Sequence, residues 1–202
     1  MGVTLELRWF LRKPPCPREV WFGARDPSPL RVDWYAFPCD ARSGVKVREG
    51  RIEVKLRLEE CGDFAWGGVC GRLERWSKSS VALPPSEIPQ ERHLAGAGWK
   101  AVVKTRWQRI FELESDTLCE TEVLDRSRVA VQFEWTELAV ASGASWWTIG
   151  LEAYGDAAGQ DRILRLAAAE LFSLVRSPAG LTRDVSCGYP EWLGQVFGDA
   201  PT

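Results

Sequence analysis

Nothing in the 202 residues approaches the roughly 18 uninterrupted apolar residues of a membrane-spanning helix. The opening MGVTLELRWF also lacks the basic-then-apolar layout of a secretory signal, so no membrane association is expected and the cytoplasm is the expected location. Histidine occurs once, at His93, which excludes any site that needs two; it falls in a proline-rich stretch that reads as a loop. The six cysteines, Cys16, Cys39, Cys61, Cys70, Cys119 and Cys187, lack the paired spacing of zinc knuckles. A chain of this length needs no disulfide staple, so reduced thiols are expected, with one or two disulfides as the alternative. There is no excess of basic charge: the formal net charge is -2, which argues against generic nucleic-acid binding. Any basic site must therefore be local.

What the chain does have is tryptophan and alternation. Eleven tryptophans fall mostly within strand-like runs, where they read as packing, the alternative being exposed platforms for a sugar or a base. Segments with a period of two recur at about 3–11, 31–37, 44–49, 51–60, 68–78, 99–113, 117–125, 128–140 and 145–154. Turn signals such as Glu49-Gly50, Gly67-Gly68 and Ser142-Gly143 separate them. Residues 81–98 carry three prolines and read as a surface connection or a short helix from Ser86. A helical stripe appears once, over about 158–176, where Ile163, Leu164, Leu166, Ala167, Leu171, Leu174 and Val175 share a face and Arg176 suits the C-terminal dipole.

This order predicts one domain over 1–202: a mainly β (α+β) fold with eight to nine antiparallel strands in a closed or nearly closed barrel, a C-terminal helix and a tail over 177–202. Closure is expected because open edges invite aggregation.

The charge pattern within the strands carries the functional question. In GVKVREGRIEVKLRLE, Lys46 and Arg48 share one face, and Glu53, Lys55 and Arg57 lie opposite Ile52, Val54, Leu56 and Leu58. In KAVVKTRWQ, Lys100, Lys104 and Arg106 share a face. Outward, such a face is ordinary solvated surface; inward, it is a cavity for an anion. Periodicity alone leaves both open.

These segments resemble motifs of the CYTH, or triphosphate tunnel metalloenzyme, superfamily. LELRWFL is similar to its N-terminal E-x-E-x-K strand, GVKVREGRIEVKLRL to its arginine-pair and lysine strands, and KTRWQRIF to its K-x-R strand. WTIGLEAYG resembles its late glutamate strand and SCGYPEWL its Ser-Tyr tail. The resemblance implies an eight-stranded tunnel that binds a small polyanion, a triphosphate or nucleotide, through Arg8, Lys46, Arg48, Lys55, Arg57, Lys104 and Arg106, with Arg72 and Lys78 as neighbours. It also implies Mg²⁺ or Mn²⁺ held by Glu6 and Glu152, with Glu122, Glu134 and Glu120 as further acids, and hydrolysis served by Glu6, Glu152 and Lys55. The chemistry fits the residue types, since cations neutralise phosphate oxygens and carboxylates hold hard metal ions.

Two departures stand out. The first strand offers Glu6, Arg8 and Phe10 where the family has two glutamates and a lysine, and Gly150 or Tyr154 replaces the companion of Glu152. Half of the metal cage is then missing. A barrel that binds an anion without turning it over is the first alternative, and a lipocalin-like barrel for an apolar ligand is the second. Whether the chain forms a homodimer is left open.

Overall fold

The computed structural model describes residues 2–95, 98–175 and 178–198. The chain opens with β1 (Gly2–Leu11) and a one-turn helix α1 (Glu19–Phe22), followed by β2 (Ser28–Ala36), β3 (Ser43–Arg48), β4 (Arg51–Trp66) and β5 (Val69–Ala82). After a short helix α2 (Glu91–Ala95) come β6 (Trp99–Glu114), β7 (Thr117–Thr121), β8 (Ala130–Val140) and β9 (Ser145–Tyr154). Helices α3 (Ala157–Ser173) and α4 (Tyr189–Phe197) complete it. No helix among the described residues is long and apolar enough to cross a membrane.

All strands pair antiparallel in the order β2-β3-β4-β5-β1-β9-β8-β6, and β2 pairs with β6 from Val32↔Val103 to Ala36↔Trp99, which closes an eight-stranded barrel. The ninth strand, β7, pairs only with β6. Tight turns set the register. Glu49 and Gly50 both have positive φ, 49° and 69°, the geometry of a two-residue hairpin turn whose twist matches the strands it joins.

The apolar core lies outside the barrel wall. On β1, Leu5, Leu7, Trp9 and Leu11 face away from the lumen and pack with Phe133, Trp135, Ile149 and Leu151 against Ile163, Leu164, Ala167, Leu171 and Phe172 of α3. Burying each such side chain contributes about 1.5–3 kcal/mol, so a covered outer face lets the inner face be polar. Trp21 of α1 seals the edge, its Nε1 donating to the Leu171 carbonyl at 2.8 Å. Asp156 caps α3 by accepting from the Gly159 amide at 2.7 Å.

Several boundaries differ from the expectation. Helix α3 stops at Ser173 because the amides of Leu174 and Val175 bond three residues back, to Leu171 and Phe172, and tighten the chain out of the α-helix. Leu174 is consequently exposed, and Arg176 lies outside the described residues. β7 ends at Thr121, leaving Glu122 in the exposed segment that follows. His93 lies on α2. All six cysteines are free thiols.

The tail is structured. The Arg72 amide donates to Ser186 Oγ at 2.8 Å, and that hydroxyl donates to the Arg8 carbonyl at 2.9 Å, which stitches the tail to β1 and β5. Helix α4 then closes one end of the barrel. Trp192 stacks on Phe10 at 4.8 Å between ring centroids, and Tyr189 stacks on Tyr35 at 5.8 Å. Pro190 sits against Gly44, where an added Cβ would lie 3.0 Å from the proline ring.

Candidate functional site

With Leu5, Leu7 and Trp9 outward, the strand period of two turns Glu6 and Arg8 into the lumen, and the same alternation acts on the neighbouring strands. Eight cationic side chains from six strands line a cavity of about 100 Å³: Arg8, Arg31, Lys46, Arg48, Lys55, Lys78, Lys104 and Arg106. The basic faces of the sequence thus point inward. Tyr189 and Pro190 wall the end beneath α4.

The cations are held by buried acids. Asp33 on β2 is fully buried and takes Lys104 Nζ at 3.0 Å, Lys46 Nζ at 3.2 Å and Arg31 Nε at 3.4 Å. Burial alone would raise its carboxyl, but Lys104, Lys46 and Arg31 outweigh it and hold the group far below the usual carboxylate range. Glu53 takes Arg48 at 2.7 Å, Lys46 at 3.0 Å and Lys78 at 3.4 Å. Against the same opposition from burial, Lys46, Lys78 and Arg48 bring it down to about 2. Glu134 pairs with Arg8 and, at 3.6 Å, with Arg106, and lies well below its usual range for the same reason. Burial pushes Lys46 and Lys104 down to about 8, with Asp33 opposing it. Lys55 behaves differently: burial would lower it, but its contact with Glu6 holds it above its usual range.

Eight cations face five carboxylates that are buried or line the cavity, Glu6, Asp33, Glu53, Glu134 and Glu152, which leaves three positive formal charges over inside the lumen; a sixth, Glu49, stands 3.8 Å from Arg48 but is exposed at the rim. In a partly buried, low-dielectric lumen such a surplus attracts an anion far more strongly than it would at the surface. Several donors there make no hydrogen bond among the described residues: Arg8 Nε, Arg48 Nε, Arg106 Nε and the hydroxyl of the fully buried Thr136. Buried polar groups without partners are uncommon, and here they edge a cavity.

Arg57 lies on the same inward face of β4 but is paired with Glu74 and stands 3.7 Å from Glu191 of α4. Arg72 is likewise occupied by Glu191, at 2.7 Å. Alternation in the sequence marked most of the cations. It did not mark Arg31, Asp33 and Tyr35, although RVDWY carries the same period, nor Thr136 and Tyr189, which give no charge signal.

The acids do not form a metal cage. A hard divalent ion takes several oxygen ligands at once. Glu6 is taken by Lys55 and Glu134 by Arg8 and Arg106, so Glu152 is the one carboxylate lining the cavity that has no basic partner among the described residues. Glu122 sits past the end of β7, and Glu120 is engaged outside the cavity by Arg25 at 2.8 Å and Arg109 at 2.9 Å. Among the described residues no group of three His, Cys, Asp or Glu side chains is arranged to hold a metal ion. The residues present therefore do not fit the Mg²⁺ or Mn²⁺ centre implied by the sequence resemblance. No tryptophan lines the cavity.

Comparison of the chain with protein-family models finds no match, and comparison with curated proteins finds none either.

Proposed function

We propose that the lumen binds a small polyanion of the triphosphate or polyphosphate kind, and that the chain is a divergent member of the CYTH superfamily in which binding does not depend on a metal ion. The observation that carries this reading is the convergence of eight cations on a cavity with three positive charges to spare. Lysines and arginines set at several angles suit tetrahedral phosphoryl groups, each of which presents several acceptor oxygens. The lipocalin-like alternative needs an apolar lumen, and charged side chains occupy this one.

The test is thermal unfolding of the full chain at pH 7 with a chelator present. Tripolyphosphate raises the midpoint in proportion to the logarithm of its concentration, with a stabilisation of about 2.7 kcal/mol at one hundred times Kd. Arg106→Gln, which removes a cation whose ion pair is a loose one, sharply reduces the shift. An unchanged midpoint in the wild type overturns the proposal. The same samples supplied with Mg²⁺ or Mn²⁺ report on turnover: phosphate release abolished by Glu152→Gln would establish a hydrolase and overturn the metal-independent reading.

A further inference from the structure

Helix α3 covers the outside of the barrel over β1, β8 and β9, and α2 packs on β6. The outer face of β3, β4 and the end of β5 lies between these two covers. Lys46 and Arg48 on β3, Lys55 on β4 and Lys78 on β5 line the lumen, so the residues alternating with them face out. Pairing sets these in rows: Val47, Ile52 and Val81 in one, Val45, Val54 and Ser79 in the next. Leu56 follows between Ser43 and Ser77, and Leu58 ends the strip. Every outward position from Val45 to Val47, from Ile52 to Leu58 and from Ser77 to Val81 is thus Val, Ile, Leu or Ser. Leu56 is 43% exposed, Leu58 48% and Val81 65%.

An antiparallel sheet with one wet face normally turns its polar side to water, and here the order is inverted. A contiguous exposed apolar strip of this kind marks an interaction surface. With strands about 4.8 Å apart and residues about 3.4 Å apart, it measures about 10 Å by about 20 Å. That suits the apolar centre of an interface of standard size, which buries about 800 Å² per partner and ends in a polar rim. The two ends of the strip differ in charge. At the β3–β4 turn Arg51 has no ion pair among the described residues, its Nε donating to Ser80 Oγ at 2.8 Å, while Glu49 beside it stands 3.8 Å from Arg48. At the other end the β4–β5 hairpin carries Glu59, Glu60 and Asp63, paired with two cations, Arg75 and Arg183. One end is short of an acid and the other of a base.

We propose that this face joins two copies of the chain in a homodimer, wall to wall, with β4 of each running antiparallel to β4 of the other. The two-fold axis lies between the sheets and crosses β4 near Leu56. In such a contact each surface patch meets itself, and a patch without charge does so with no like-charge repulsion. Antiparallel stacking sets each Arg51 against the acidic hairpin of the second copy, whereas parallel stacking sets Arg51 on Arg51. The short Val and Ser side chains allow two sheets to approach to about 10 Å with their strands within about 30° of each other. The lumen lies on the other side of the wall, so the dimer is independent of the polyanion reading.

Sedimentation equilibrium of the full chain tests this, with far-UV circular dichroism to confirm that each variant is folded. The wild type is expected to reach twice the 22.7 kDa of one chain at micromolar concentration. Leu56→Glu, which sets two carboxylates facing each other across the axis, raises the dissociation constant by at least about 100-fold. Val81→Lys, at a more exposed position away from the axis, raises it by about ten-fold and keeps the test open should Leu56→Glu fail to fold. Arg51→Glu weakens the dimer, and adding Glu59→Arg to it restores the association, an outcome specific to the antiparallel stacking of two copies. A wild type that stays at the mass of one chain at every concentration, a dimer indifferent to both Leu56→Glu and Val81→Lys, or a charge reversal that restores nothing overturns the proposal.

Discussion

A methyl group added to Gly150 would lie 2.6 Å from the guanidinium carbon of Arg8. Gly150 on β9 is in register with Arg8 on β1 and, on its other side, with Glu134 on β8. The bare position between them lets Arg8 reach across a whole strand to Glu134 and bring its Nη1 within 3.3 Å of the Thr148 hydroxyl. Arg8 and Gly150 are thus one structural unit: an internal cation and the gap that admits it.

Gly150→Ala should therefore act through Arg8. The position does not have positive φ, so the backbone tolerates alanine and the collision falls on the guanidinium. Displacing Arg8 leaves Glu134 with Arg106 alone, at 3.6 Å. Chemical denaturation is expected to show a loss of about 1–3 kcal/mol, the cost of overpacking a filled site. The shift produced by tripolyphosphate shrinks in the same variant. Wild-type stability would mean that Arg8 has room to move and that the gap is incidental.

Asp33→Asn separates folding from binding. Asp33 anchors Lys46, Lys104 and Arg31 in a fully buried position, and removing its charge leaves three cations short of a counter-ion. Breaking a buried ionic group from one side costs about 3–5 kcal/mol, so the ligand-free variant should unfold at much lower denaturant. The lumen then carries a larger positive surplus, and tripolyphosphate should stabilise the variant by more than it stabilises the wild type. A variant that is weakly destabilised, with an unchanged ligand shift, would show that Asp33 does not set the lumen charge.

The inward rows of Lys46, Arg48, Lys55, Lys104 and Arg106 were legible because strand side chains alternate with a fixed period, and apolar neighbours such as Val45, Val47, Val54, Leu56, Val103 and Trp107 fall on the other face. Their direction was not, since it depends on what covers the other face. Leu5, Leu7 and Trp9 face outward because α3 lies over them, and that packing joins segments about 150 residues apart. On β4, Leu56 and Leu58 also face outward and remain exposed, so apolarity alone would have assigned the inside wrongly. Helix α4 was hidden in YPEWLGQVF by Pro190 and Gly194, yet proline in the first turn is compatible with a helix start. Asp33 was missed because a single acid among Arg31, Val32, Trp34 and Tyr35 gives no charge row to notice. Its two lysine partners come from other strands, β3 and β6.

The two lysines around Asp33 make ligand binding depend on pH with a definite sign. Burial lowers both Lys46 and Lys104 from the ordinary lysine value of 10.5 to about 8, even with Asp33 beside them. Lys46 also faces Glu53 and Arg48, while Lys104 donates to the Tyr35 hydroxyl at 2.6 Å. A bound polyanion favours the charged form of each lysine and raises its pKa. Below pH 8 both are already protonated, and affinity is at its full value with respect to these groups. As pH rises through 8 each lysine must take up a proton for the anion to bind, and affinity falls by up to about ten-fold per pH unit for each lysine. Calorimetry in buffers of different ionisation enthalpy should register proton uptake on tripolyphosphate binding at pH 8.5 to 9 and little below pH 7. Lys46→Met, which leaves Lys104 and Arg31 on Asp33, should bind more weakly at neutral pH and show a shallower decline above 8. A wild-type affinity that is flat from pH 7 to 9 would mean that neither lysine meets the anion.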